Sequence, residues 1–234
     1  MKVDILGVKI DNVSFEEAVN KVEGFIRDNR KYYVVTPNPE IVILAQKDHQ
    51  LRQVLNSADL AIPDGVGLIY AAKFLGLKLT KRITGVDLME KLCQLAEEKG
   101  FTVGLLGGRG DASFRAAKVL SHRFSKLNLR VFKDDVSSFV DILFVALGAP
   151  KQEKWIAKNL PKIPVNTAIG VGGAFEMIAG VQKRAPNFIQ NFALEWLWRL
   201  TLEPWRMKRQ VKLLRFAYLV IKQRFSFPSQ SANL

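Results

Sequence analysis

Cysteine and histidine are scarce in this sequence, with one cysteine, Cys93, and two histidines among 234 residues. A single cysteine excludes an internal disulfide framework, and neither residue type has the spacing of a zinc or iron–sulfur site. The helical pattern around Cys93 indicates a buried packing residue. The sequence also lacks the D-x-D motif with which many enzymes hold a divalent metal. We therefore expect neither a metal nor a cofactor.

Long hydrophobic runs are also missing, although 48% of the residues are hydrophobic. No run approaches the ~18 apolar residues that a membrane-spanning helix requires. The N-terminal segment MKVDILGVKID is too short and too charged for a signal peptide, so we predict a cytoplasmic protein. We find neither an internal repeat nor a low-complexity linker. Length and composition suit one globular core with an appendage.

Negative charge is in short supply, since 35 Lys and Arg against 22 Asp and Glu give a formal net charge of +13. Such a surplus predicts an anionic partner. From Gln182 onward, ten basic and two acidic residues give a surplus of eight, which leaves five for the preceding 181 residues. Trp196, Trp198 and Trp205 lie in the same region. We therefore expect a core over residues 1–194 and a basic, Trp-rich appendage over 195–234 that contacts membrane or substrate.

Apolar strand patterns alternate with helical patterns up to about residue 180. The strand patterns are KYYVVT, DLAI, FTVGLLGG, LRVF, DILFVALG and VNTAIG. Ser14 and Glu17 form a capping box for a helix that runs to about Arg30, and Thr84 and Asp111 are expected to cap later helices. This alternation predicts an α/β fold, a Rossmann-like and mostly parallel sheet with helices on both faces, followed by the basic helical appendage.

Chemically distinctive residues follow the strand patterns. TPNPE follows KYYVVT, PDGVG follows DLAI, RGD follows GLLGG, APKQE follows DILFVALG, and VGGAF follows NTAIG. Ligands of parallel α/β sheets bind beyond the carboxyl ends of the strands. We therefore predict that five strand ends bring one group of side chains to a common rim, together with several glycines: Thr36, Asn38, Asp64, Gln152 and Glu153.

Each of these motifs also has a purely structural interpretation. Asn38 suits a helix cap before Pro39, whereas polar groups held at a helix N-terminus also bind sugar hydroxyls or phosphates. Glu153 in the first turn of a helix is ordinary dipole complementation. Gln152 has less structural reason to be there and is a candidate ligand contact. Arg82 is either a surface charge or a phosphate ligand.

Two glycine-rich turns leave two functions open. GVGGAF, residues 170–175, offers backbone amides to an anion, although turn glycines are often structural. LLGGRGDAS approximates a dinucleotide fingerprint through Gly108, Gly110 and Ser113, with Asp134 after the next strand. The alternative function is therefore a nicotinamide-dependent oxidoreductase. It leaves the other strand ends and the basic appendage unexplained.

The appendage contains an amphipathic helical pattern over residues 206–225. Its apolar stripe and the adjacent basic stripe consist of Met207, Val211, Leu214, Tyr218, Ile221 and Phe225, and of Lys208, Lys212, Arg215 and Lys222. Such a helix either packs on the core with a solvated basic edge or lies in an anionic membrane surface. The nearby tryptophans favour lipid. No nucleic-acid-binding motif is found, so we expect no nucleic-acid partner.

Eight segments occur in a fixed order over nearly the whole chain: TPNPE, ADLAIPDGVGL, RITGVDL, LLGG, DILFVALGAPKQEKWI, AIGVGGAFEMIAG, KRAP and LEWLWRLTLEPWRMKR. In these segments the sequence resembles the WecG/TagA/CpsF family of bacterial glycosyltransferases. The resemblance implies inverting transfer of N-acetylmannosamine from UDP to the 4-hydroxyl of undecaprenyl-diphosphate-linked N-acetylglucosamine. This step belongs to wall teichoic acid linkage-unit synthesis at the inner face of the cell membrane. Relatives transfer N-acetylmannosaminuronic acid or other sugars.

The resemblance also implies roles for individual residues. Asp64 is the implied base, and Thr36 and Asn38 bind and orient the donor sugar. Lysine and arginine would stand in for Mg²⁺ at the diphosphates. The implied substrate-binding residues are Arg82, Gly107, Gly108, Gln152, Glu153, Gly172, Gly173, Arg199, Arg206, Arg209 and Arg215.

The expected partners are a UDP-sugar, a polyprenyl-diphosphate-linked acceptor and an anionic membrane surface, and self-association stays open. The sequence departs from the family pattern at one point. Members usually carry a Gly-Tyr-Phe turn and another helix before the DILFVALG strand. Here LRVFKDDVSSFVDILF leaves almost no room for them.

Overall fold

The computed structural model describes residues 1–28, 30–182, 186, 198 and 207–226, with residues 207–210 described by their backbone alone. The strands are β1 (Lys2–Ile5), β2 (Val8–Asp11), β3 (Tyr32–Val35), β4 (Leu60–Ala61), β5 (Thr102–Gly107), β6 (Asn128–Phe132), β7 (Val140–Ala146) and β8 (Val165–Gly170). The helices are α1 (Phe15–Arg27), α2 (Pro39–Ala45), α3 (His49–Asn56), α4 (Val66–Phe74), α5 (Gly85–Lys99), α6 (Ala112–Arg123), α7 (Lys151–Asn159), α8 (Ala174–Ile178) and α9 (Met207–Ser226).

The sheet has six parallel strands in the order β4-β3-β8-β7-β5-β6. Side chains alternate between its faces, as β7 illustrates. Ile142 and Phe144 belong to one buried cluster with α1, α5 and α6, whereas Leu143 and Val145 belong to another with α7. Helices therefore cover both faces. The predicted α/β fold with a mostly parallel sheet is confirmed.

Local capping signals position several helices. Ser14 and Glu17 form the predicted capping box of α1, Asn38 Oδ1 accepts from the amide of Ile41, and Thr84 caps α5. The prediction for Asp111 is wrong in its mechanism. Asp111 occupies the position before α6 but makes no side-chain capping bond, and its carboxylate instead lies 3.4 Å from Arg115 Nε.

An N-terminal hairpin of β1 and β2, absent from the sequence prediction, covers the edge of the sheet at β4. Asp11 at the end of β2 is 5% exposed, and its Oδ2 accepts from the amide of Ala61 at 2.9 Å. Lys2 Nζ lies 3.5 Å from the same carboxylate and donates to the carbonyl of Ala58. The hairpin is therefore tied to β4 through side chains.

The connection between β6 and β7, residues 133–139, contains no helix, as the sequence predicts. Val136 within it is buried beside Phe132 and Val140. The short segment thus closes over the core without the additional helix of the family pattern.

Helix α9 packs on α2 and α4 through Phe216 and Val220, which are buried in the cluster that also contains the hairpin. The residues of the predicted apolar stripe lie outside this buried contact: Val211, Leu214, Tyr218, Ile221 and Phe225 are exposed. Met207 and Lys208 have side chains outside the described set. Within the part of the chain that the structure describes, no helix combines the length and apolarity needed to cross a membrane. The division at residue 194 stays a prediction.

Candidate active site

A cavity of about 570 Å³ opens at the carboxyl ends of five adjacent strands. The segment that follows each strand lines the cavity: Thr36 and Asn38 after β3, Asp64 after β4, Gly108 after β5, Gln152 and Glu153 after β7, and Gly172 and Gly173 after β8. Parallel strands end at the same edge, so residues far apart in sequence meet there. The predicted rim is present.

The part of the cavity nearest the β4 edge is lined by Thr36, Asn38 and Asp64. Thr36 Oγ1 donates to the carbonyl of Gly170 at 2.9 Å, which joins the ends of β3 and β8. Asn38 caps α2 through its carbonyl oxygen, which leaves its amide Nδ2 to donate to a ligand. The backbone amide of Asp64 donates to the carbonyl of Pro37 at 2.8 Å, which joins the segment after β4 to the segment after β3. The half-buried Asp64 lines the same cavity.

Gln152 and Glu153 lie in the first turn of α7 and form a buried hydrogen-bonded pair. Gln152 Nε2 donates to Glu153 Oε1 at 2.8 Å, while Gln152 Oε1 accepts from the amide of Gly172 at 3.0 Å. A Cβ at Gly170 would lie 2.8 Å from Gln152 Nε2, so a larger residue there would displace the Gln152 amide from its hydrogen bonds. Gln152 therefore links the glycine turn after β8 to the carboxyl group of Glu153.

Burial raises the pKa of the Glu153 carboxyl group above its ordinary value of 4.5, and the hydrogen bond from Gln152 opposes this in part. Glu153 is 1% exposed, and its Oε2 has no hydrogen-bond partner among the residues that the structure describes. Removing a carboxylate from water disfavours its charged form. The group therefore favours its neutral state more than an exposed glutamate does.

We expect the Glu153→Gln variant to lose part of the pH dependence of stability, because the folded protein favours a neutral group at this position. In the wild type, this contribution is complete below about pH 4.5 and is lost as pH rises through the raised pKa of Glu153. Each unit of difference between the folded and unfolded pKa corresponds to ~1.4 kcal/mol. Urea unfolding at a series of pH values from about 4.5 to 8 measures the slope.

Glu98→Gln is the matched control, because Glu98 is an exposed helical glutamate distant from the cavity lining. It should leave the slope unchanged. An identical slope in the wild type and the Glu153→Gln variant would contradict the assignment of a raised pKa.

Glu176 on α8 is a cavity residue that the sequence interpretation missed. It is 7% exposed, and its Oε1 accepts from the amide of Arg109 at 2.9 Å. Within the described part of the chain, its Oε2 has no hydrogen-bond partner. Glutamate in a first helical turn is ordinary in sequence. Only the contact with the turn after β5 marks Glu176 as part of the site.

The glycine turns shape the cavity more than they offer amides to it. The amides of Val171, Gly172 and Ala174 all donate within the protein. Gly172 is in the left-handed region with φ of 55°, where a side chain would be strained. Gly107 does not line the cavity, and a Cβ there would lie 2.8 Å from Leu147 Cδ2. Gly108 lines the cavity, but its amide also donates, to the carbonyl of Ala146 at 2.9 Å. Of the predicted glycine contacts, Gly173 is therefore the one that best suits an amide contact with an anion.

Charged groups in the described lining are mostly acidic. Carboxylates come from Glu40, Asp64, Glu153 and Glu176, and guanidinium groups from Arg82 and Arg109. Glu40 is paired with Lys212 of α9 at 2.7 Å. No group of three or more potential metal ligands occurs among the described residues.

The predicted arginines of the appendage have different placements. Arg215 is exposed on α9 and is not part of the described cavity lining. Arg199, Arg206 and the side chain of Arg209 lie outside the described residues. Leu213 is the residue through which α9 reaches the cavity in the described part of the chain.

Comparison with known proteins gives one family and a group of similar enzymes. A model of the glycosyl transferase WecG/TagA/CpsF family matches residues 3–230. A Bacillus spizizenii protein is 32% identical over 210 residues, covering 85% of this chain and 82% of its own. A Staphylococcus aureus protein is 30% identical over 235 residues, covering 94% and 92%. Both are named N-acetylglucosaminyldiphosphoundecaprenol N-acetyl-beta-D-mannosaminyltransferase.

Proposed function

Because the chain belongs to the WecG/TagA/CpsF family of glycosyl transferases, we propose that it transfers N-acetylmannosamine from UDP to N-acetylglucosaminyl-diphospho-undecaprenol. The names of the similar Bacillus and Staphylococcus enzymes support this acceptor and this sugar. The meeting of Thr36, Asn38 and Asp64 at one cavity is the structural observation that carries the proposal. It supplies a carboxylate and two polar anchors at one edge of the site.

The proposed reaction is a single displacement with inversion. Asp64 takes the proton of the acceptor hydroxyl. The oxygen of that hydroxyl bonds to the anomeric carbon of the donor sugar, and the bond from that carbon to UDP breaks. Thr36 and Asn38 hold the donor sugar in line, which lowers the entropic cost of the encounter. Arg82 and basic residues of the appendage together stabilise the charge of two diphosphates, that of the departing UDP and that of the acceptor.

Charge in the cavity favours a neutral donor sugar over a uronic acid. Asp64 and Glu176 line the same cavity, and a sugar carboxylate would add another negative group. Like charges at short range repel, most strongly where solvent is scarce. The relative that uses UDP-N-acetylmannosaminuronic acid is therefore the weaker analogy for this chain. The nicotinamide alternative loses support, because Asp134 does not line the cavity that contains Gly108.

A UDP-release assay tests the proposal, with UDP-N-acetylmannosamine and a short-chain N-acetylglucosaminyl-diphospho-lipid as substrates. UDP should appear only when donor and acceptor are both present. The uronic acid donor and NAD serve as comparison ligands. Release of UDP from the uronic acid donor but not from UDP-N-acetylmannosamine would contradict the proposed substrate. Binding of NAD instead of UDP would contradict the proposed class of enzyme.

Transfer should continue in excess EDTA at close to its normal rate. Cationic side chains are proposed to neutralise the diphosphate, so no divalent ion is required for leaving-group stabilisation. Rates of UDP release with EDTA, and after addition of excess Mg²⁺, measure the effect. Loss of activity with EDTA and recovery with Mg²⁺ would show that the charge is compensated by a metal.

A further inference from the structure

A second cavity of about 500 Å³ lies between α4 and α9, next to the candidate active site. Its walls are apolar, with Val66, Tyr70 and Phe74 on one side and Phe216, Val220 and Ile221 on the other. Its volume is within the range of ~300–1,000 Å³ typical of small-molecule sites. We refer to this second cavity as the apolar groove.

The apolar groove is continuous with the candidate active site. Gly65, Arg82 and Leu213 line both cavities. Arg82 is the one charged residue among the described residues that line the groove. At the floor, a Cβ on Gly67 would lie 2.7 Å from Pro39 Cγ, so glycine lets α4 approach α2 closely. The two cavities thus form one path with a guanidinium group at the junction.

We propose that the apolar groove holds the first isoprene units of a polyprenyl diphosphate whose diphosphate lies at Arg82. The inference rests on the proposed function, because the sugar linked to that diphosphate would then enter the cavity that contains Asp64. An anionic head followed at once by a branched hydrocarbon chain matches the order of Arg82 and the apolar walls. A sugar or a nucleotide would leave polar groups unpaired against these walls.

The far end of the groove meets surface suited to a bilayer. Tyr70 and Ile221, at its walls, are 64% and 47% exposed, and Leu214 and Tyr218 extend the exposed apolar surface along α9. The remaining isoprene units can leave the groove directly into lipid. The groove therefore recognises the isoprene units next to the diphosphate, and the remaining units lie in the membrane.

Binding of diphosphates with different tails tests the proposal without any transfer step. The full chain is titrated with geranylgeranyl diphosphate and with isopentenyl diphosphate, without detergent and below micelle-forming concentration. The wild type should bind the longer compound at least roughly tenfold more tightly, because added methylene groups leave water. Ala217→Trp should remove this difference, since Ala217 is exposed and lines the groove.

Val211→Trp is the matched control, because Val211 is an exposed residue of the same helix outside the groove lining. It adds similar apolar area and should keep the preference for the longer tail. Ile221→Ser removes part of the wall instead of filling the groove and should reduce the preference. Unchanged thermal unfolding and UDP binding in these variants would establish that the fold and donor site persist.

Three results would overturn the inference. They are equal affinity of the wild type for the two diphosphates, a retained preference in Ala217→Trp, and an equal loss in both tryptophan variants. A preference that arises only with vesicles would assign the effect to the bilayer instead of the groove. Tail-dependent binding without UDP release from any donor would contradict the proposed function while supporting the groove.

Discussion

Replacing Asp64 with asparagine should lower the rate of transfer ~10²–10⁴-fold, because the amide keeps the shape of the side chain but cannot take a proton. Asp64 follows the short strand β4 and lies half-buried in the cavity lining with Thr36 and Asn38. The backbone amide of Asp64 donates to the carbonyl of Pro37, and the substitution leaves this hydrogen bond in place. The substitution should therefore affect kcat in the UDP-release assay and leave the thermal midpoint close to that of the wild type.

Asp59→Asn is the matched control for this experiment, since Asp59 precedes the same strand and is exposed outside the cavity lining. It should retain wild-type turnover. Near-normal turnover of Asp64→Asn would exclude Asp64 as the base. A large fall in its thermal midpoint would instead point to a structural role.

Deleting residues 195–234 should abolish both transfer and binding to anionic vesicles while leaving the sheet folded. Both cavities lose the wall that α9 provides, including Leu213. The removal also takes away the basic residues of the appendage, each worth about 1 kcal/mol near an anionic surface. Loss of the buried Phe216 and Val220 should lower stability, since each such side chain contributes ~1.5–3 kcal/mol on burial. Circular dichroism, vesicle sedimentation and UDP release measure the three effects.

A double variant separates membrane binding from catalysis in the full chain. Leu214→Ser combined with Tyr218→Ser changes two exposed residues that line neither cavity. It should weaken vesicle binding and keep turnover on a water-soluble acceptor. Full vesicle binding and full turnover in the truncated protein would refute the proposed role of the appendage.

The sheet and its rim could be predicted because their signals are local. Apolar runs such as DILFVALG, and caps such as Ser14 with Glu17, depend on neighbouring residues alone. Once the strands are parallel, their carboxyl ends must share one edge. The positions of Asn38, Asp64 and Gln152 followed from that geometry.

Contacts between distant segments could not be predicted in the same way. Glu176 meets the amide of Arg109 across 67 positions, and Thr36 meets Gly170 across 134. On α9, apolar residues occupy two faces, and spacing alone does not tell which face meets the body. The hairpin has a local signal, since KVDI, residues 2–5, alternates polar and apolar side chains. Each of its strands has four residues, which is the lower limit of length at which such alternation indicates a strand.

The N-terminal hairpin also decides where the sheet stops. Strand β4 is an edge strand of two residues, and alternation directs the amide of Ile62 to β3 and that of Ala61 outward. An outward amide on an edge strand is a template on which another chain can add a strand and begin aggregation. The side chain of Asp11 accepts the hydrogen bond from the Ala61 amide. Because the acceptor is a side chain and not a strand backbone, no further strand can pair there. Self-association by strand addition is therefore blocked at the edge that leads into Asp64, and the crevice beside it stays open to substrate.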